Sequence, residues 1–90
     1  MEKYIIKELD TAKEFLESGI EFGNPQQIHK SRLIYDSLKM MTTDSEHWVT
    51  VKENMIRACT ALCLLDSKNA LQYLEMAYIY DPHHPEFQIE

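Results

Sequence analysis

The residues that interrupt regular backbone structure are few in this chain and sit close together: Gly19 and Gly23, then Pro25, then Pro82 and Pro85. Long segments free of Gly and Pro run between these breaks, and no period-2 alternation of apolar and polar residues is sustained in them. Apolar residues recur instead at spacings of three and four, which predicts an all-α chain. Ninety residues make a single domain, large enough for one core but with modest stability to spare.

Four helices follow from the pattern. The first is expected over 2–22, where Ile5, Leu9, Ala12, Leu16 and Gly19 repeat at 4-3-4-3 and most charges fall on other faces. Gly23 suits a helix C-cap. Asn24-Pro25-Gln26-Gln27 then offers an N-cap side chain, a proline at the first helical position and a glutamine able to reach back to the cap. The second helix is expected over 25–41, with Ile28, Ser31, Leu33, Ile34, Tyr35, Leu38 and Met41 facing inward, and so short a joint implies that helices one and two lie antiparallel. Thr43-Asp44-Ser45-Glu46 reads as a capping box for a third helix over 45–65. Asp66-Ser67 would cap a fourth over 67–80, with Ala70, Leu74 and Ala77 on one stripe. Pro82 disfavours helix in the residue before it and Pro85 suits the first turn of a new one.

Ala70, Leu74, Ala77 and Pro82 also carry a family resemblance. They fall at the small, large, small and proline positions in the second helix of a tetratricopeptide repeat (TPR), whose period is roughly 34 residues. Ala58 matches the small residue of the preceding helix, whereas Asn54, Arg57 and Ala61 depart from its aromatic and Leu positions. A more degenerate copy sits upstream, with Phe15, Gly19 and Phe22 on the first helix and Ser31 and Tyr35 on the second, while Ser18, Leu38 and Thr43 break the pattern. The copies are 39 residues apart, and the loop near Met41 to Ser45 would absorb the surplus over the usual period. The chain therefore resembles a TPR-like array of four antiparallel helices stacked as two hairpins, which implies a protein that holds another protein.

Charge and apolar distribution point the same way. The formal charge is −6, and residues 46–90 hold 7 acids against 3 bases, which argues against nucleic acid or an anionic membrane as partner. No apolar stretch reaches the ~20 residues of a membrane span, and the N-terminus lacks an export signal, so a cytoplasmic protein is expected. Apolar residues crowd into Met55 to Tyr80, more than helices one and two would cover from one side. A partner-binding strip is expected from Met55, Cys59, Leu62, Tyr73, Met76, Tyr78 and Tyr80, since tyrosines combine contact area with a polar tip. The chain stops soon after a joint that normally opens another helix, and helical arrays need a polar cap over their last apolar face. Residues 85–90 are too short for one, so a partner's cover is expected, or a longer natural chain.

Catalytic or metal chemistry has little support. Cys59 and Cys63 lie four apart on one helix face, where buried reduced thiols are the plainer expectation than a metal pair completed by a distant histidine. His83-His84 reads as a solvated turn, and Asp10, Glu14, Glu17 and Glu21 as a solvated helix face with Lys7 and Lys13 nearby. There is no Gly-rich phosphate loop, no nucleophile flanked by a base and no zincin spacing. Neither an enzymatic activity nor a cofactor is expected. Small size, acidity, the helix–Gly-Asn–helix opening and the apolar later helices look like the cytosolic co-chaperones of bacterial type III secretion. That resemblance implies that an amphipathic helix of a needle subunit or related partner is bound. An adaptor for another complex, or a self-associating subunit, is the competing expectation.

Overall fold

A computed structural model describes residues 1–84 of the chain, and the expected helix start at Pro85 and the segment after it lie outside the described residues. Over residues 1–84 there are four α-helices and no strand: α1 (Glu2–Phe22), α2 (Pro25–Thr42), α3 (Trp48–Leu65) and α4 (Ala70–Tyr80), with a 3-10 turn at Ser67–Asn69 leading into α4. Each helix packs on the next in chain order, and α3 also touches α1.

The first joint forms as its residues require. Gly23 takes φ 61° and ψ 36°, a left-handed conformation that costs a Cβ-free residue nothing. The Asn24 N–H donates to Gly19 O at 2.8 Å and the Gly23 N–H to Ile20 O at 3.4 Å, so two carbonyls at the end of α1 are satisfied in a Schellman arrangement. Asn24 Oδ1 then accepts from the backbone N–H groups of Gln26 (3.0 Å) and Gln27 (3.4 Å), and Pro25 occupies the first turn of α2. Two residues thus end one helix and start another.

The next two joints differ from expectation. Thr43 does not cap α3; its hydroxyl donates to Lys39 O at 2.6 Å and Thr42 donates to Leu38 O at 2.8 Å, so both threonines bond back into α2 and carry it to Thr42. Ser45 Oγ accepts from the His47 N–H at 3.1 Å in a tight turn, and α3 starts only at Trp48. Asp66 is likewise diverted from capping, because Tyr73 Oη and Asn69 Nδ2 both donate to its Oδ2, at 2.7 and 3.0 Å. The 3-10 turn fills the interval, and α4 starts at Ala70.

The core is one cluster. It takes Ile5, Ala12 and Leu16 from α1, Ile28, Tyr35 and Leu38 from α2, Val51, Met55, Ile56, Ala58, Cys59 and Leu62 from α3, and Tyr73, Ala77 and Tyr80 from α4. In α2 the buried stripe runs 28-31-35-38-42; Leu33 lies off it and is exposed, Met41 is exposed too, and Thr42 takes the inward position. In α4 the stripe that faces the core is Ala70-Tyr73-Ala77-Tyr80, so Leu74 is turned outward by about one residue's rotation, ~100°. Gly19 allows a close approach of α1 to the start of α2. A Cβ there would sit 2.5 Å from Ile28 Cγ1, 3.0 Å from Ile28 N and 3.1 Å from Asn24 O.

Candidate functional site

Of the seven residues expected on a binding strip, Met55, Cys59, Leu62, Tyr73 and Tyr80 are built into the interior, Met76 is half-buried and Tyr78 is exposed. The two tyrosines are drawn inward by polar partners that sequence reading did not pair with them. Tyr80 stacks on Trp48 with ring centroids 6.0 Å apart, lies under Lys39 Nζ at 5.0 Å and donates its hydroxyl to Asp36 Oδ1 at 2.5 Å. One side chain thereby ties the end of α4 to both α2 and the start of α3. Burial and the Asp36 carboxylate push the Tyr80 phenol well above its ordinary range.

Tyr73 does the same at the other end of α4. Its single hydroxyl hydrogen goes to Asp66, so its oxygen is the acceptor for His29 Nε2 at 3.3 Å, which places a hydrogen on that nitrogen. The hydrogen bond to Asp66 pushes the phenol up to about 12, and the same bond holds the Asp66 carboxyl below its usual range. His29 is lowered from its ordinary 6.5, first by burial and then by the neighbouring Arg32 guanidinium. This chain of donors pins α2 to the α3–α4 joint. Its hydrogen bonds are directed at internal partners, so it works as a clasp between the two elements.

Both cysteines are free thiols. Burial pushes the Cys59 thiol up to about 11, and Cys63, also raised by burial, donates to Ala70 O at 3.4 Å. Among the described residues, Glu2, Glu46 and His47 form the one group of three metal-ligating side chains whose ligand atoms lie within 4.8 Å of one another. The two glutamates are exposed, and His47 Nε2 faces Glu2 Oε2 at 2.8 Å, a pairing that holds the first turn of α1 to the α2–α3 loop. His84 is similarly engaged, with Nε2 3.4 Å from Glu53 Oε2. Lys13 and Glu17 meet at 3.9 Å on the solvated side of α1.

Large apolar side chains are exposed on every helix, among them Phe22, Leu33, Met40 and Val49, and on α4 they share one side. The outward face of α4 carries Leu71, Leu74, Tyr78 and Ile79, with 71%, 44%, 56% and 67% of their surface open to solvent. Leu71, Leu74 and Tyr78 follow one another at about one-turn spacing, and Ile79 lies beside Tyr78 on the same broad side of the helix. A shallow depression lies over Leu74, Glu75, Tyr78 and Ile79. No other helix among the described residues covers it. Leu64, 81% exposed at the end of α3, is a further large side chain left open near that end of the fold. The signal that finds this face is the apolar character of α4 all round: once Tyr73, Ala77 and Tyr80 are inside, the leftover residues must be outside.

No family model, curated protein or solved structure gave a significant match to this chain. Among the described residues, no helix is long and apolar enough to cross a membrane.

Proposed function

We propose that this chain is a protein-binding helical module whose contact surface is the outer strip of α4, and that it acts as a small cytoplasmic co-chaperone of a type III secretion system. The row Leu71, Leu74, Tyr78 and Ile79 carries the proposal, because four large apolar side chains aligned on one helix form a patch that monomeric surfaces seldom leave open. Such a row is the complement of an amphipathic helix read at i, i+3 or i+4, and i+7 anchors. The helices stand as two stacked antiparallel hairpins in the TPR manner. The two-residue joint between α1 and α2 supports that arrangement, as does packing of each helix on its successor with α3 also reaching α1. In such a stack the outer face of α4 is where a further helix would pack, and the partner takes that place. Its task is to hold, and the side chains best placed for proton chemistry are spent on internal hydrogen bonds.

The module is tested with the purified protein and a hydrophobic dye. Wild type binds the dye, and Leu74→Asp with Ile79→Asp abolishes that binding without loss of helix content; a wild-type protein that takes up no dye ends the proposal. The secretion role is tested by co-expression with a needle subunit of a type III secretion system from the same organism. A soluble stoichiometric complex is expected, one that the double substitution breaks. Absence of any complex, with dye binding intact, removes the secretion role and leaves the binding module.

A further inference from the structure

Glu75 stands in the middle of the apolar strip. It lies one turn from Leu71 on one side and one turn from Ile79 on the other, and it lines the depression that Leu74, Tyr78 and Ile79 also form. It is exposed, and among the described residues no ion pair or hydrogen bond engages its carboxylate. No base occurs anywhere on α4. Of the bases in residues 46–90, Lys52 lies over the Trp48 ring, Arg57 donates to Asn54 Oδ1 and Lys68 belongs to the turn before α4. The strip therefore combines aliphatic anchors with one uncompensated negative charge, on a molecule of net charge −6.

We propose that this carboxylate selects the partner, so that the strip takes an amphipathic helix whose apolar stripe is flanked by lysine or arginine, with one cation seated on Glu75. This rests on the strip being the binding face. A second copy of the chain is disfavoured as occupant, because it would bring another −6 to the contact and lay a strip carrying its own Glu75 against this one. A partner helix with acidic flanks meets the same opposition, since like charges juxtaposed at an interface are strongly unfavourable. Cationic flanks turn the lone charge from an obstacle into a register mark: the apolar anchors supply contact, and the cation fixes which turn of the partner lies over which turn of α4.

The probe is a pair of 18-residue labelled peptide helices with the same leucine stripe, one flanked by Lys and one by Glu, titrated by fluorescence anisotropy against the full chain. The Lys-flanked peptide is expected to bind and the Glu-flanked one to bind more weakly. Glu75→Gln should weaken the Lys-flanked complex roughly threefold, in the range of a solvent-exposed ion pair, and Glu75→Lys should reverse the preference. Glu14→Gln on α1 removes the same charge elsewhere and should change nothing, which separates local pairing from general attraction to an acidic protein. If Glu75→Lys binds the Lys-flanked peptide as well as wild type does, while Leu74→Asp loses it, the face stands and the selection by Glu75 is overturned. If Leu74→Asp keeps full binding with helix content unchanged, or neither peptide binds wild type, the binding face itself fails. A wild-type dimer in sedimentation that Leu74→Asp converts to monomer makes the occupant a second copy and overturns the cationic partner.

Discussion

Gly19→Ala is the substitution that tests the packing of α1 on α2 most directly. In a helix interior the exchange normally stabilises by about 1 kcal/mol, because alanine loses less backbone entropy than glycine. Here the new Cβ meets Ile28 Cγ1 at 2.5 Å, Ile28 N at 3.0 Å and Asn24 O at 3.1 Å. The first of these belongs to a fully buried side chain, and the other two are backbone atoms that have no rotamer with which to move away. Overpacking costs about 1–3 kcal/mol, and contact with backbone puts this case in the upper half of that range. The propensity gain offsets part of it. A net loss of about 1–2 kcal/mol follows, or a fall of ~4–15 °C in melting temperature for a domain of this size.

Urea denaturation followed by circular dichroism reads the loss as a lower midpoint at unchanged slope. Gly23 supplies the contrast, because a Cβ there meets only Leu65 Cδ2 at 3.8 Å and the cost comes from the positive φ. Asn tolerates that conformation, so Gly23→Asn should recover much of what Gly23→Ala loses, whereas Gly19→Asn should be worse than Gly19→Ala. A Gly19→Ala protein with an unchanged or higher midpoint would refute the close approach of the two helices.

Three further outcomes are expected. Tyr35 is fully buried and its hydroxyl has no partner among the described residues, so Tyr35→Phe should leave stability unchanged or raise it by about 1 kcal/mol; a loss above that size in thermal melts would mean that the hydroxyl is satisfied. Ala77 is buried at the α3–α4 contact, and Ala77→Leu should cost about 1–3 kcal/mol in the same urea assay, an unchanged midpoint counting against the register of α4. Stability should also fall at alkaline pH. Burial raises Cys59 from 9.0 to about 11 and Tyr35 from 10.0 to about 12, so the fold keeps protons that the unfolded chain releases. Their contribution is complete below pH 9 and is lost as the pH rises, first through the thiol's interval and then through the phenol's. For Tyr35 alone the loss approaches about 2–3 kcal/mol. Urea midpoints at pH 8, 10 and 11 measure the decline, and Tyr35→Phe should make it shallower; a midpoint flat across that range would contradict the burial of these groups.

Local signals made the first half of the chain legible and left the last helix ambiguous, for a reason visible in its residues. Gly23, Asn24 and Pro25 each carry their own backbone or capping preference, so the α1–α2 joint follows from three consecutive residues without help from the rest of the fold. The stripe of α1 was equally readable, because charges mark its other faces. Thr43 and Asp66 misled because each had two uses: as caps, or as partners for groups elsewhere. Thr43 bonds back to Lys39, and Asp66 receives Tyr73 and Asn69. A choice between such uses is made by tertiary geometry that a local pattern does not contain.

The register of α4 was open for the same reason, and its resolution moves the proposed binding surface. With apolar residues on nearly every side, periodicity alone permits either Leu74 or Tyr73 to join Ala70 and Ala77 inside. What separates the two is hydrogen bonding, since burying a tyrosine is favoured where its hydroxyl finds a partner. Tyr73 finds Asp66 beside the 3-10 turn, and Tyr80 finds Asp36, 44 residues away on α2. Turning both tyrosines inward turns Leu71, Leu74 and Ile79 outward by necessity, because side chains on one helix rotate together. The polar tips of Tyr73 and Tyr80 are thus consumed inside the fold, while Tyr78 stays on the outer face. The surface left for a partner is more aliphatic than the sequence implied, and Glu75 is the charge it retains.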